Sequence, residues 1–297
     1  MFRDRTPEGL IVRAPAKLNL FLEVHGKRPD GYHELSTLMI AVSLFDTLEF
    51  KEAPRPEVRL DLAPAEGRQP LSAGPDNLVW RAADLLKRRT GHPGGADIRL
   101  HKRIPMAAGL AGGSSDAAAT LLGLNQLWRL GLADAELAEL AAELGSDVAF
   151  FLHGPAGWCT GRGEVVTPLR ASGPLWFVLA CPPVGLSTAA VFGALAPVDV
   201  PHDGTPLREA VTRGDVEEIG RKLFNRLQPA AERLCPAVAR LSATLAQLGA
   251  AGSLMSGSGT TLFALCCDAD EARRVASQLI QRAREQVSRV HVVRSCF

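Results

Sequence analysis

The segment PMAAGLAGGSSDAAA, Pro105 to Ala119, constrains this chain more than any other. A period-two strand pattern, ADIRLHKRI, leads into Pro105, and a strong helix former, SSDAAATLLGLNQLW, begins where the small residues end. Glycines let backbone N–H groups approach an anion closely, because no Cβ intervenes. A helix N-terminus adds unpaired donors and a partial positive charge. The hydroxyls of Ser114 and Ser115 can cap the helix, bind a phosphate or ligate Mg²⁺. Strand, small-residue loop, hydroxyl pair and helix in that order read as a phosphate cradle. The competing reading is a flexible strand-to-helix connection with a serine cap. The Walker A pattern G-x-x-x-x-G-K-[ST] is absent, and the flanking elements do not form the parallel βαβ unit of a dinucleotide fingerprint.

Around this segment the first hundred residues read mainly as strands. LIVRAPAKLNLFLEVHGKR has a strand pattern interrupted by Pro15, STLMIAVSLFDTLEF is a second extended apolar stretch, and EVRLDL alternates at period two. RPDGYHEL between the first two contains a Pro-Asp-Gly turn. DNLVWRAADLLKRR has helical spacing with an Asp at its start. ADAELAELAAELG reads as a helix closed by Gly145, SDVAFFLHG follows, and GWCTGRGEVVTPL reads as a strand pair. Beyond about residue 170, WFVLACPPV is a buried strand, STAAVFGAL a capped short helix and PVDVPHDGTP a loop. The remainder reads as two helices, a single strand SLMSGSGTTLFALCC, a helix DEARRVASQLIQRAREQ and a strand RVHVVRS. This order argues for an α+β sandwich. Residues 1–170 and 171–297 are the expected domains.

Composition limits the function classes. The 33 basic and 32 acidic residues leave a net charge of +1, so no global electrostatic footprint points to nucleic acid or an anionic membrane. The six cysteines are scattered without a C-x-x-C pair, as expected of reduced thiols in a cytosolic protein. The start, MFRDRTPEGL, has no apolar signal region, and no apolar run approaches the ~20 residues of a membrane span. A cytoplasmic protein, monomeric or a weak homodimer, is expected.

The pattern P-x-x-x-G-L-x-x-G-S-S-x-A from Pro105 to Ala117 resembles the phosphate loop of the GHMP kinases, small-molecule kinases that include homoserine and mevalonate kinases. APAKLNLFLEV (Ala14–Val24) and LMSGSGTTLFAL (Leu254–Leu265) resemble two further family segments, in the family's order. The forms PAKLNLFL, R-x-DGYHEL, GLAGGSSDAA and LGSDVAFFLHG narrow the likeness to the branch acting on a cytidyl polyol, 4-diphosphocytidyl-2-C-methyl-D-erythritol, in non-mevalonate isoprenoid synthesis. The resemblance implies a two-domain GHMP kinase fold of the α+β class. Its N-terminal domain is ribosomal-protein-S5-like and ATP-binding; its C-terminal domain is a ferredoxin-like α/β sandwich that completes the substrate cleft. It also implies ATP-dependent phosphorylation of the substrate's 2-hydroxyl. A mevalonate- or homoserine-type kinase, or a catalytically silent nucleotide-binding protein, are the competing functions. Two departures stand out. Ala111 replaces a usual glycine, and FNRLQPAA (Phe224–Ala231) lacks both acids of the family's Asn-Asp-Leu-Glu-Pro stretch, so no role is given to it.

The resemblance gives each candidate residue a role. Asp147 matches the general base, which a carboxylate can be when it sits within about 3 Å of the hydroxyl; by itself it reads first as a helix N-cap. Lys17 matches the cation beside the transferring phosphate; by itself it is equally a solvated edge-strand lysine. Asn19, on the same strand face as Lys17, is a substrate-hydroxyl contact. Tyr32, the only tyrosine in the chain, stacks on the cytosine while His33 bonds its edge, with Phe192 opposite and Thr188 nearby. The ATP side comprises Pro105, Met106, Ala107, Ala108, Gly109, Leu110, Ala111, Gly112, Gly113, Ser114 and Ser115, with Asn77 and Lys102 beside the adenine. Ser115 is the contact for Mg²⁺, and Asp116 is expected to be exposed on the helix. SGSGT (Ser256–Thr260) is a second glycine turn closing the cleft.

Overall fold

A computed structural model describes residues 1–63, 71–196 and 200–297, so residues 197–199 of the expected loop PVDVPHDGTP lie outside the described residues. In chain order the first elements are β1 (Phe2–Thr6), β2 (Gly9–Lys27), β3 (His33–Ala53), β4 (Val58–Leu62), α1 (Leu78–Thr90) and β5 (Gly95–His101). The middle holds α2 (Gly112–Leu127), α3 (Asp134–Leu144), α4 (Ser146–His153), β6 (Ala156–Gly161), β7 (Val165–Pro168) and β8 (Trp176–Cys181). Next come α5 (Thr188–Gly193), α6 (Thr205–Arg213), α7 (Val216–Lys222), β9 (Phe224–Asn225), α8 (Gln228–Leu234) and α9 (Pro236–Ala246). The chain ends with β10 (Gly252–Met255), β11 (Leu262–Cys266), α10 (Ala269–Ala283) and β12 (Arg289–Arg294). The class is α+β, as expected. Among the described residues no helix is long and apolar enough to cross a membrane.

The chain divides into two compact units, neither contiguous in sequence. The first comprises Met1–Ala16, Leu44–Ile104 and Ala111–Gly154; the second comprises Lys17–Ser43, Pro105–Leu110 and Pro155–Phe297. The expected boundary after residue 170 falls inside the second unit.

In the first unit, β1 pairs antiparallel with the start of β2, from Thr6↔Gly9 to Phe2↔Arg13. Pro15 lies just past this ladder, where its missing N–H costs no bond to β1, so β2 runs through it unbroken. The end of β3 pairs antiparallel with β5, and β5 pairs parallel with β4. Helix α2 packs against α1, α3 and α4. Helix α1 starts one residue later than its leading Asp suggests: Asn77 Oδ1 caps it by accepting from Val79 N at 2.9 Å. Asp76 instead accepts from the Ser72 hydroxyl. Gly91, at φ 66°, ends the helix after Lys87, Arg88 and Arg89, cations that suit its negative end.

In the second unit, the start of β3 pairs with β6, which hairpins back as β7, while β2 pairs in parallel with the two-residue β9. A separate antiparallel sheet has the order β10-β11-β8-β12, and α9 and α10 pack on its strands. Its core gathers Val178, Ala180, Met255, Leu262 and Ala264 from the sheet, Leu241 and Leu245 from α9, and Val275 and Leu279 from α10. Leu22 and Val24 of β2 belong to the same cluster. Burying each such side chain is worth about 1.5–3 kcal/mol. Two expectations fail here. SLMSGSGTTLFALCC is a hairpin, β10 and β11, because Gly257 and Gly259 supply the positive φ of 56° and 87° that reverse the chain. The stretch read as two helices holds four, α6 to α9. Proline near the start of α6, α8 and α9, and Gly214 at φ 74° after α6, set separate starts and stops.

Candidate active site

Lys17 is buried at 3% exposure in the second unit, on the strand β2. An ammonium in such a place must be bonded. Lys17 Nζ donates to Asn19 Oδ1 at 2.5 Å, and Asn19 Nδ2 donates to Thr37 Oγ1 at 2.8 Å. Thr37 Oγ1 in turn donates to Phe21 O at 2.6 Å. This chain of bonds fixes the amide of Asn19, so the oxygen faces lysine. Period two put Lys17 and Asn19 on one face of β2; Thr37 on β3 carried no signal in the sequence.

Two glycine turns wall this lysine. Ser256 Oγ donates to Gly109 O at 2.9 Å and accepts from Asn19 N at 3.4 Å. Thr261 N donates to Ala108 O at 3.2 Å, and Lys17 N to Leu110 O at 3.1 Å. A Cβ at Gly109 would lie 2.0 Å from Ser256 O, so only glycine fits there. A Cβ at Gly257 would lie 3.2 Å from Lys17 Nζ, 3.3 Å from Asn19 Oδ1 and 3.3 Å from Gly109 O. The turn Ser256–Thr260 and the residues Pro105–Leu110 thus meet beside Lys17.

A second group in the same unit surrounds the Pro-Asp-Gly turn. Arg28 donates to Asp30 at 3.2 Å and to Glu34 at 2.6 Å, and Tyr32 N donates to Asp30 Oδ1 at 3.1 Å. The Tyr32 ring is exposed, and the Arg162 guanidinium lies 4.7 Å from its centre. The rings of His33 and Phe192 face each other at 4.9 Å and 31°. Burial and the charge of Lys27 hold the His33 imidazole below its ordinary value, favouring the neutral ring with one donor and one acceptor. Thr188 Oγ1 lies 2.9 Å from Ser258 Oγ. Arg162 was not read from the sequence; it follows the glycine that ends β6, where nothing local distinguishes it.

In the first unit, α2 begins at Gly112 after Ala111, which takes the left-handed conformation of the replaced glycine, φ 52° and ψ 34°. That costs an alanine about 1 kcal/mol. Ser115 is buried, and its Oγ has no hydrogen-bond partner. Asp116, expected on the exposed side, is instead buried. Its Oδ2 accepts from Lys102 Nζ at 2.7 Å, while Lys102 also donates to Asp46 Oδ2. Asp46, fully buried, accepts from the backbone N–H of Arg103 and Ile104 as well. The small residues around Asp116 turn this side of α2 inward, which is why an acid there needs a cation. Burial pushes the Asp116 carboxyl up to about 8; the charge of Lys102 opposes this and that of Asp46 adds to it. Of the two residues expected beside an adenine, Lys102 stands in this ion-pair cluster and Asn77 caps α1.

Asp147 stands in the first turn of α4, after the N-cap Gly145, so it is not itself the cap. Val148, Ala149, Phe150 and Phe151 anchor that helix in the core, against α2 and α3, and leave the carboxylate half-buried. Among the described residues no group of three or more His, Cys, Asp or Glu side chains has metal-ligating geometry.

Two family models match this chain. Residues 77–155 match the GHMP kinases N terminal domain and residues 207–285 match GHMP kinases C terminal. A 4-diphosphocytidyl-2-C-methyl-D-erythritol kinase from Pelotomaculum thermopropionicum is 45% identical over 276 residues, covering 92% of this chain and 94% of that protein. The Symbiobacterium thermophilum enzyme of the same name is 43% identical over 287 residues, covering 96% and 99%. A crystal structure of 4-(cytidine 5'-diphospho)-2C-methyl-D-erythritol kinase superposes with a TM-score of 0.79 at 38% identity, covering 96% of this chain and 98% of that one. With both terminal domains matched and identity above 40% along nearly the whole length, the chain belongs to the GHMP kinases, and within them to the 4-diphosphocytidyl-2-C-methyl-D-erythritol kinases.

Proposed function

We propose that this kinase transfers the γ-phosphoryl group of ATP to the 2-hydroxyl of 4-diphosphocytidyl-2-C-methyl-D-erythritol, as a step of non-mevalonate isoprenoid precursor synthesis in the cytoplasm. The observation that carries this reading is Lys17, a buried ammonium bonded to Asn19 and walled by Gly109 and Gly257. A fixed cation in a dry site stabilises charge that develops on a transferring phosphoryl group. Asp147 accepts the proton of the attacking hydroxyl while the new O–P bond forms and the bond to the β-phosphate oxygen breaks, releasing ADP. A tertiary alcohol is crowded, so holding it in line matters more than the strength of the base.

Pro105 to Ser115 cradle the phosphates, with the start of α2 directed to negative charge. The buried, unpartnered Ser115 hydroxyl fits a phosphate oxygen or Mg²⁺. Magnesium keeps most of its ligands from water and nucleotide, so one hydroxyl is a sufficient protein contribution, and the ion when bound offsets phosphate charge. Tyr32 stacks on the cytosine and the neutral His33 bonds its edge, with Phe192 against His33 and Thr188 beside Ser258 of the second glycine turn. Asn19 orients Lys17 and borders the substrate hydroxyl.

A coupled assay of ADP release with the cytidyl substrate, mevalonate and homoserine tests the reading. Turnover with the cytidyl substrate alone is expected, inhibited competitively by CMP. Turnover with mevalonate or homoserine and indifference to millimolar CMP would transfer the chain to another GHMP activity. Asp147→Asn is expected to abolish turnover while ATP binding, followed by calorimetry, survives. Near-normal kcat in that variant removes Asp147 from the base role.

A further inference from the structure

Asn225 belongs to the stretch FNRLQPAA, which departs from the pattern of its relatives and to which the reaction assigns nothing. The residue is buried at the end of β9, itself held in register by Leu22↔Asn225 on β2. Both amide hydrogens and the amide oxygen of its side chain are engaged. Nδ2 donates to Met255 O at 2.7 Å and to Gly257 O at 2.8 Å, and Oδ1 accepts from Leu227 N at 2.9 Å. Gln228 adds a third tie to the same turn, its Oε1 accepting from Met255 N at 2.9 Å. Met255 is thereby gripped at both its N–H and its carbonyl, and Gly257 at its carbonyl.

These ties set where the second glycine turn stands against Lys17. Gly257 takes a left-handed φ of 56°, and the space its missing Cβ would fill is bounded by Lys17 Nζ at 3.2 Å and Asn19 Oδ1 at 3.3 Å. Ser256, between the two gripped residues, bonds Gly109 O and Asn19 N. A shift of the turn therefore moves the wall beside the ammonium and the tie to Gly109 together. Only an amide serves at position 225. A carboxylate would bring oxygens against two carbonyl oxygens, and an apolar side chain would leave both carbonyls buried without donors.

We infer that Asn225 is a positioning residue for phosphoryl transfer, acting on Lys17 through the backbone of Met255–Gly257. The inference rests on the reading of Lys17 given above. Misplacement of a reacting group by about 1 Å costs on the order of a hundredfold in rate. Asn225→Ala and Asn225→Asp are expected to lower kcat about ten- to a hundredfold, with KM for ATP and for the cytidyl substrate within about twofold of wild type.

Steady-state kinetics at a temperature where each variant is folded by near-ultraviolet circular dichroism provides the test. Leu241→Ala, a cavity in the core of the second unit, is the comparator: it lowers Tm while keeping kcat. Should the Asn225 variants not fold, Gly257→Ala attacks the same contact from the other side and is expected to show the same fall in kcat. Lys17→Met separates the inference from its premise. If Lys17→Met loses turnover while Asn225→Ala, or Gly257→Ala in its stead, keeps wild-type kcat, the positioning role is overturned and the reading of Lys17 stands. If Lys17→Met itself keeps wild-type kcat, the premise fails and the inference with it. An equal loss of kcat in Leu241→Ala and Asn225→Ala reduces the effect to general stability and also overturns the role.

Discussion

Asp46, Lys102 and Asp116 place two acids and one base in a dry interior, so the cluster carries a net negative charge whenever both acids are ionised. Burial, partly offset by Lys102 and reinforced by Asp46, raises the Asp116 carboxyl to about 8, from 3.8 in an unfolded chain. Between those two values the folded protein holds a proton that the unfolded chain has lost. The contribution to stability is fully present below about pH 4 and is lost as pH rises toward 8. Asp116→Asn cannot ionise, so its Tm relative to wild type is expected to climb from pH 5 to about pH 8 and level off above it. A pH-independent difference between the two melting curves contradicts this. His33 gives a second titration. Its ring is held below the ordinary histidine value, so it stays neutral through pH 7 and charges only in more acid solution. If it reads the cytosine as a neutral ring, KM for the cytidyl substrate rises as the pH falls below the ordinary histidine range while KM for ATP does not; His33→Gln is expected to flatten that rise. Of these residues His33 is singled out by the family resemblance of the segment around the Asp-Gly turn. The sequence misled about Asp116, because an acid in a helical run of alanines looks solvated until the partner lysine, fourteen positions earlier, is placed beside it.

At the scale of elements, β9 and the start of α8 explain the two acids missing from FNRLQPAA. Arg226 stands in place of the first and donates to both oxygens of the buried Glu23 at 2.7 Å. Burial pushes the Glu23 carboxyl up, yet Arg226 and the N–H groups of His202 and Val24 outweigh it and hold the group below its usual range. Gln228 stands in place of the second. It keeps an acceptor for Met255 N while its Nε2 donates to Glu232 at 2.8 Å and Ser242 at 3.1 Å. Arg226→Ala strands a buried carboxylate and is expected to cost about 3–5 kcal/mol in urea denaturation. The double variant Glu23→Gln/Arg226→Ala is expected to recover part of that. Unchanged stability of Arg226→Ala would refute the account. Periodicity located α1, α3 and α10 because each has one apolar face, while β8 stood out as a continuous apolar run buried at successive positions. It did not separate β10 from β11, since an apolar run interrupted by SGSGT reads as continuous when the reversal depends on two glycine dihedrals.

Across the whole molecule the backbone passes between the two compact units five times, at Ala16/Lys17, Ser43/Leu44, Ile104/Pro105, Leu110/Ala111 and Gly154/Pro155. A fragment covering 171–297 lacks Leu22 and Val24, which share a buried cluster with Val178, Met255 and Leu262, and it lacks the β2 partner of β9. Fragments 1–170 and 171–297 expressed separately are therefore expected to show no cooperative thermal transition by circular dichroism. A sharp transition in 171–297 alone contradicts this. Composition gave the near-balance of charge, and motif order gave the family. The interleaving of the chain was invisible, because long strands such as β2 and β3 carry one apolar pattern through both units.

Gly109 bears on how such a site can change over generations. Every amino acid reached from a glycine codon by one base change carries a Cβ, and a Cβ here would sit 2.0 Å from the carbonyl oxygen of Ser256. No single-base substitution at this codon leads to a residue that fits. In a saturation library selected for function, position 109 should therefore stay blank, and a lineage could change it only together with a rebuilt Ser256 turn.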